Sequence, residues 1–400
     1  MTDGRTSPIP VVVRSRQELE AQGISFLPPG SVAPSKLPIT EDGTTYSMAQ
    51  EARWIDREHF AVGRWDGSLS IFAFNDSQTI GPLITTAVSS PSSEGVQMIT
   101  WLAKGVFASS NDAGSMIVWS SPNGDWKDLR QVGVLKYDQK FGDANSGAAF
   151  SLSGYLYLIA GHANGYVTIW RGKLDGLTWS FVTVVDVRSA HPVNPWNLFN
   201  VRGVAPVGGT IDAGYVVTGS EDGDLCVLEI PSGKILSRTV YNPKAQRGIN
   251  SIATFGEDLL VANCSVGPDD FNLWYYTINT SNWSITMRDR TNLKVNPGAP
   301  QVFNFDVIWA KYSGGDCFFS STEEGALWMG TINAAKKFSL LGYQTVTTPL
   351  GSALAYMIGG DLVLVSYNLY EFTTGSSVAL SSDADPERLS LLKLSDPLRT

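Results

Sequence analysis

The chain has 400 residues, 43% hydrophobic and 17% charged, with 39 glycines, 12 tryptophans and a net charge of −9. That is a globular composition, and turn-forming glycine beside many aromatics favours numerous short strands over long helices. The acidic balance, without any lysine or arginine run, argues against nucleic acid as a partner, because gripping phosphate backbones takes a basic stripe.

The opening MTDGRTSPIP lacks the basic-then-apolar order of a secretory leader, and Val11 to Val13 are too few for its apolar core. A cytoplasmic protein without membrane insertion is therefore expected. Ser15 and Glu18 form a capping-box pattern and Gly23 a stop, which predicts one short helix over 16–22 within an N-terminal extension spanning 1–34. The long uncharged run 144–170 is broken by Asn145, Ser151, Gly154, Gly161, His162 and Asn164, so it reads as strands and turns rather than a membrane span.

From about residue 45 onward one phrase recurs. It appears as FAVGRWDGSLSIF (60–72), FASSNDAGSMIVW (107–119), LIAGHANGYVTIW (158–170), VVTGSEDGDLCVL (216–228) and FFSSTEEGALWMG (318–330), with a longer-tipped copy in 259–278. Each copy is an apolar strand, a small residue, a polar tip ending in glycine, and a second strand. The tip glycines Gly67, Gly114, Gly165, Gly223 and Gly325 recur at intervals near 50 residues or twice that. Further strands lie upstream, as in MITWLAKG (98–105), and downstream, as in SFVTVVDV (180–187). Four strands per unit describe the blade of a β-propeller, whose faces are buried only against neighbouring blades.

These phrases resemble the WD40 repeat. The matching features are the Asp66-Gly67, Asn164-Gly165, Asp222-Gly223 and Glu324-Gly325 turns and the third-strand tryptophans Trp119, Trp170 and Trp328. The resemblance covers the chain from about residue 35. It departs from the family where Ser120, Arg171 and Met329 replace the aspartate after the tryptophan, and the upstream Gly-His pair is missing. The family's side-chain hydrogen-bonded tetrad is thus expected to be lost in most blades.

The expected architecture is all-β: a seven-bladed propeller of four-stranded antiparallel blades over 35–400. The blades fall at about 45–88, 96–138, 146–187, 200–242, 248–290, 303–345 and 351–395. The last blade takes two strands from 352–368 and a third from 387–395, with 373–386 as an insertion. Its fourth strand must come from 35–40 or 9–15, so that an N-terminal strand closes the ring. That closure is similar to the one used by WD40 propellers.

Little in the sequence points to chemistry. His59, His162 and His191 show neither metal-ligand nor triad spacing, and no nucleotide-binding, zinc-protease or hydrolase motif occurs. Cys226, Cys264 and Cys317 sit in apolar runs without a CxxC pair, which predicts small buried residues, with no disulfide framework, metal or cofactor. His162 is expected at a blade tip, partly exposed. The acidic tips Asp66, Asp112, Glu221-Asp222, Asp269-Asp270 and Glu323-Glu324 read first as turn residues, and second as a ring that could draw a basic partner or calcium.

Connections on the tip face are more informative. The stretch 188–203 is long for a link and carries Trp196 and Phe199, either interface anchors or a plug between blades three and four. Arg64 and Trp65, His162, and Lys244 and Arg247 complete the candidate partner-binding set. The expected function is a non-catalytic scaffold or adaptor subunit that binds a protein or peptide partner. The alternative is a propeller enzyme or carbohydrate-binding protein using pore-facing acids and aromatics.

Overall fold

The computed structural model describes residues 49–56, 59–64, 66–74, 80–92, 95–190, 198–209, 213–242, 248–265, 271–299, 302–312, 315–322, 326–345, 353–358, 363–368 and 379–380. The expected helix at 16–22, the proposed closing strands at 9–15 and 35–40, and the segment 387–395 lie outside these residues.

Strands follow one another as antiparallel neighbours, four to a unit. Blade one is Ala49–Trp54, His59–Arg64, Ser68–Phe74 and Ile80–Val88. Blade two is Ile99–Ala103, Val106–Ser110, Ser115–Ser120 and Arg130–Lys136, and blade three is Ala144–Leu152, Tyr155–His162, Tyr166–Gly172 and Trp179–Asp186. Blade four is Val201–Gly209, Gly214–Ser220, Asp224–Ile230 and Ile235–Val240. Blades five (Ile249–Phe255, Asp258–Ser265, Leu273–Ile278, Ile285–Thr291) and six (Val302–Tyr312, Gly315–Thr322, Ala326–Ile332, Phe338–Thr345) are joined edge to edge through Cys264–Phe303 and Ser265–Val302. Among the described residues a seventh sheet has three strands, Ala353–Ile358, Val363–Asn368 and Ala379–Leu380. Its third strand therefore lies inside the stretch expected to be an insertion, where Leu380 pairs with Val365.

The first strand of each blade lies beside the first strand of the next, and Ala353–Ile358 touches both Val302–Tyr312 and Ala49–Trp54. First strands are thus innermost. Fourth strands are outermost, and the alternation of Trp179–Asp186 leaves most of its residues exposed. The apolar core is not one mass but a series of seams, each between two successive blades. Ile159, Val167 and Ile169 of blade three meet Val216, Cys226 and Leu228 of blade four, and Val217, Leu225 and Val227 on the opposite face meet Leu259, Val261 and Trp274 of blade five. Equivalent seams join blades one and two, two and three, and five and six. An isolated blade would leave both apolar faces in water, at a cost of roughly 25 cal/mol per Å², so blades fold by stacking on their neighbours. No helix among the described residues is long and apolar enough to cross a membrane.

Two backbone devices repeat. In six fourth strands an extra residue is inserted opposite the third strand, as at Val132 facing Val118–Trp119 and Val182 facing Ile169–Trp170. Such bulges increase the local twist. At the tips, Gly67, Gly114, Gly165 and Gly223 all have positive φ, 78°, 96°, 79° and 91°. Their carbonyls accept N–H groups from Ser89, Tyr137, Val187 and Tyr241, the residues leaving each fourth strand. One glycine thus closes the tip hairpin and docks the next connection.

The tryptophan networks are partly rebuilt rather than lost. Trp119 Nε1 donates to Ser109 Oγ at 2.7 Å, Ser109 pairs with Ser89 Oγ at 2.6 Å, and Ser89 donates to the Ser110 carbonyl. Trp170 Nε1 donates to Thr168 Oγ1 at 3.0 Å, which lies 2.8 Å from His162 Nε2. The Trp328 indole N–H has no hydrogen-bond partner among the described residues and packs on Tyr343 instead.

Candidate partner-binding face

The tip of blade four organises this face. Asp222 is fully buried; its Oδ2 accepts the Ser189 backbone N–H at 2.6 Å, and its Oδ1 accepts the Ser220 hydroxyl at 2.6 Å and the Asp224 N–H at 3.2 Å. The neighbouring Glu221 takes the Asn200 amide at 2.6 Å through Oε2 and Arg202 Nε at 3.1 Å through Oε1, and its own N–H donates to the Asn200 carbonyl. Two adjacent acids of one turn therefore hold both ends of the connection from blade three to blade four. Arg238 braces the same start: its Nη1 donates to the carbonyls of Val187 and Arg188 and to the Asp224 carboxylate. Burial pushes the Asp224 carboxyl up, while Arg238 beside it pulls the other way.

Blade three supplies the floor. A Cβ on Gly165 would come within 2.2 Å of Arg188 Cγ and 3.0 Å of Phe199 Cβ, so the glycine is the only residue type that lets both side chains lie across the tip. Arg188 pairs with Asp186 and covers the Tyr166 ring at 4.7 Å, and Tyr166 packs on Phe141 at 4.6 Å. Leu198, 43% exposed, and the half-buried Phe199 are the apolar groups at the far end. Arg202 Nη1 also reaches Gln97 Oε1 at 3.2 Å, linking blade four to blade two past the intervening blade. Asn145 Nδ2 donates to Asn200 Oδ1 at 3.3 Å beside them.

Several expected site residues fall differently. His162 is fully buried, not partly exposed, and packs edge-on against Tyr137 at 4.4 Å. Burial lowers its imidazole to about 3. The neutral ring can then accept the Thr168 hydroxyl proton at Nε2, completing a chain from Trp170. Arg64 is likewise buried, with Nη1 on Ser70 Oγ at 2.6 Å and its carbonyl holding the N–H groups of Gly67 and Val96. Both side chains turn back into the blade and lie in its interior. Phe199 does lie on the face. Trp65, Trp196, Lys244 and Arg247 lie outside the described residues.

Of the tip acids, Asp269, Asp270, Glu323 and Glu324 lie outside the described residues, and Asp66 and Asp112 serve a turn and a link. Asp66 accepts the Ser68 N–H, and Asp112 accepts Ser90 Oγ, Ser92 N–H and Ser92 Oγ from the blade-one connection. Among the described residues no group of three or more histidines, cysteines and acids could hold a metal ion. Asp306, on the innermost strand of blade six, is buried, which raises its carboxyl; its Oδ1 accepts Ser251 Oγ at 2.6 Å and the Val307 N–H. Cys226 is a buried free thiol, pushed up by burial to about 12.

Sequence reasoning missed Asn145, Asn200, Arg202 and Glu221 as a connected group. A signal exists for two of them. Asn145 and Arg202, with Gln50 and Asn250, are the extra residues of bulges near the start of innermost strands, and they stand in the related phrases AQE, ANS, VRG and INS.

This succession of twisted antiparallel blades defines the chain as a WD40-like β-propeller in fold. A solved structure similar to it is the β-propeller domain of Cps50 (Swd1) from Myceliophteria thermophila, with a TM-score of 0.57 and 11% sequence identity over 85% of this chain and 98% of that one. No family model matches the chain, and no curated protein sequence matches it either.

Proposed function

We propose that the chain is a non-catalytic interaction scaffold or adaptor subunit, which binds a protein or peptide partner on the tip face beside blades three and four. The observation that carries this reading is the double anchorage of the 188–203 connection on Glu221 and Asp222. A connection fixed at both ends on a rigid ring loses little entropy on association. Phe199 and Leu198 offer apolar contact, Trp196 adds an aromatic anchor within the same connection, and Arg188 and Arg202 rim it. Lys244 and Arg247, in the sequence between blades four and five, complete the proposed binding set. The cytoplasm is the proposed location.

An enzyme reading would need a perturbed acid or base in an open cleft. His162 and Asp306, whose titration burial shifts, are both buried and hydrogen-bonded, His162 inside its own blade and Asp306 across to Ser251 of blade five. The test is a pull-down with intact protein beside a Trp196→Ala, Arg247→Ala double variant. Loss of specific partners from the variant is expected; the same partners at the same recovery from both would sink this choice of face.

A further inference from the structure

Asn-Gly occurs twice in the chain, at Asn123-Gly124 and Asn164-Gly165. Both pairs stand in the same kind of turn. The Gly124 N–H donates to the Ser121 carbonyl at 3.0 Å and the Gly165 N–H to the His162 carbonyl at 3.3 Å, and the two glycines have φ of 73° and 79°. Both asparagines are exposed. They form a matched comparison in which the surroundings of the side chain differ.

Asn164 is held. Its Nδ2 donates to the Lys140 carbonyl at 2.9 Å and lies so close to Gly142 that a Cβ there would come within 3.2 Å of it. The peptide that follows is held too, because the Gly165 carbonyl accepts the Val187 N–H at 2.9 Å and Arg188 lies across the glycine. Asn123 has neither restraint. Among the described residues its side chain makes no hydrogen bond, Gly124 is exposed, and a Cβ on Gly124 would meet nothing within 4 Å.

We propose that Asn123 is a modification site, at which the folded chain deamidates through its own backbone. The Gly124 nitrogen gives its proton to water and bonds to Asn123 Cγ. The Cγ–Nδ2 bond breaks, and that nitrogen takes up a proton and leaves as ammonia. Water then opens the cyclic imide without any oxidation or reduction. Addition at Cγ gives aspartate, and addition at the Asn123 backbone carbonyl gives isoaspartate, with the chain rerouted through the side chain. Ring closure needs Cγ brought against the glycine nitrogen. Asn123 reaches it by opening only the turn's own hydrogen bond, whereas Asn164 must also leave Lys140. Either product adds a negative charge, and isoaspartate also lengthens the backbone three residues before Trp126. Trp126 is buried, its indole N–H donates to the Asp56 carboxylate, and its ring lies 5.7 Å from Phe107, so the altered segment carries a lock between blades one and two. The site lies at the opposite end of the blade from the tips, so its failure would leave the scaffold reading standing.

The test is peptide mapping by mass spectrometry of the folded full chain held at mildly alkaline pH, beside the same chain in denaturant. In the folded chain the Asn123 peptide is expected to convert to aspartate and isoaspartate at least ~10-fold faster than the Asn164 peptide, the factor that one ordinary hydrogen bond sets. In denaturant the two should convert at similar rates, which assigns the difference to the fold rather than to flanking residues. Asn123→Ser should abolish conversion at that position and leave Asn164 as slow as in wild type. Faster amide exchange at 126–129 is expected in the isoaspartyl form isolated by ion exchange, and not in Asn123→Asp, which adds the charge without lengthening the backbone. Unchanged exchange at 126–129 in the isoaspartyl form would overturn the link to Trp126. Folded-state conversion of Asn164 as fast as that of Asn123, an Asn123 that converts only in denaturant, or an equal preference for Asn123 in both conditions would overturn the proposal.

Discussion

Asp222 accepts the backbone N–H of Ser189 from across the blade-three boundary at 2.6 Å, and Asp222 is itself fully buried. A buried carboxylate that satisfies three donors cannot be removed without stranding them. Asp222→Ala is expected to cost about 2–4 kcal/mol, the range for breaking a buried charged hydrogen-bond set. Chemical denaturation checks the loss. Faster amide exchange at 187–190 would show that the start of the connection, rather than the blade alone, has come loose.

Gly165 and Gly154 separate two effects of the same substitution. Both have positive φ, 79° and 81°, but a Cβ on Gly154 would meet nothing within 4 Å, whereas one on Gly165 would collide with Arg188. Gly154→Ala should cost about 1 kcal/mol, the conformational penalty alone. Gly165→Ala should cost roughly 2–3 kcal/mol and displace Arg188. Equal losses in paired thermal melts would contradict the packing argument.

These positions show why the repeat was readable and the site only in part. Tip glycines are fixed by local backbone geometry and recur in every clear copy, and third-strand tryptophans recur in three of them, so together they carry the fold. The burial of His162 and Arg64 is decided by which way a side chain turns from the end of its strand, and Tyr137 and Val96, which meet them, come from other segments. Asn200 and Glu221 meet because the connection arriving from blade three lies against the tip of blade four, a closure that no local pattern encodes. The seventh sheet differs for another reason: its weakly patterned apolar stretches gave no basis for preferring 387–395 to Ala379–Leu380.

His162 makes stability depend on pH. Its folded pKa is lowered from 6.5 to about 3 by burial, so below pH 6.5 the unfolded chain binds a proton that the folded chain refuses. Stability therefore falls as pH drops through that window, by about 2 kcal/mol between pH 7 and pH 5 from this group. In His162→Gln that share of the pH dependence should vanish, even if the variant is less stable at pH 7. Denaturation at both pH values measures it; parallel losses in wild type and variant would be the contrary result.

Ser109 relays between Trp119 and Ser89 in blade two, and both Ser109 and Ser89 are fully buried. Ser109→Ala leaves the indole N–H without its acceptor and should cost about 1–3 kcal/mol. A cavity alone would be small, since only one oxygen is removed. Near-UV circular dichroism of the tryptophans, read beside the denaturation midpoint, reports whether the network and the stability fail together.

The central claim is that partners dock on the connection held by Glu221 and Asp222. Amide exchange of the protein alone and with a partner recovered by the intact chain tests it most directly. Protection is predicted at 186–190, 198–203 and 220–224, with the turns on the opposite face at 152–155 and 255–258 unchanged. Protection of those opposite turns, with the blade-four tip exchanging as freely as before, would contradict it.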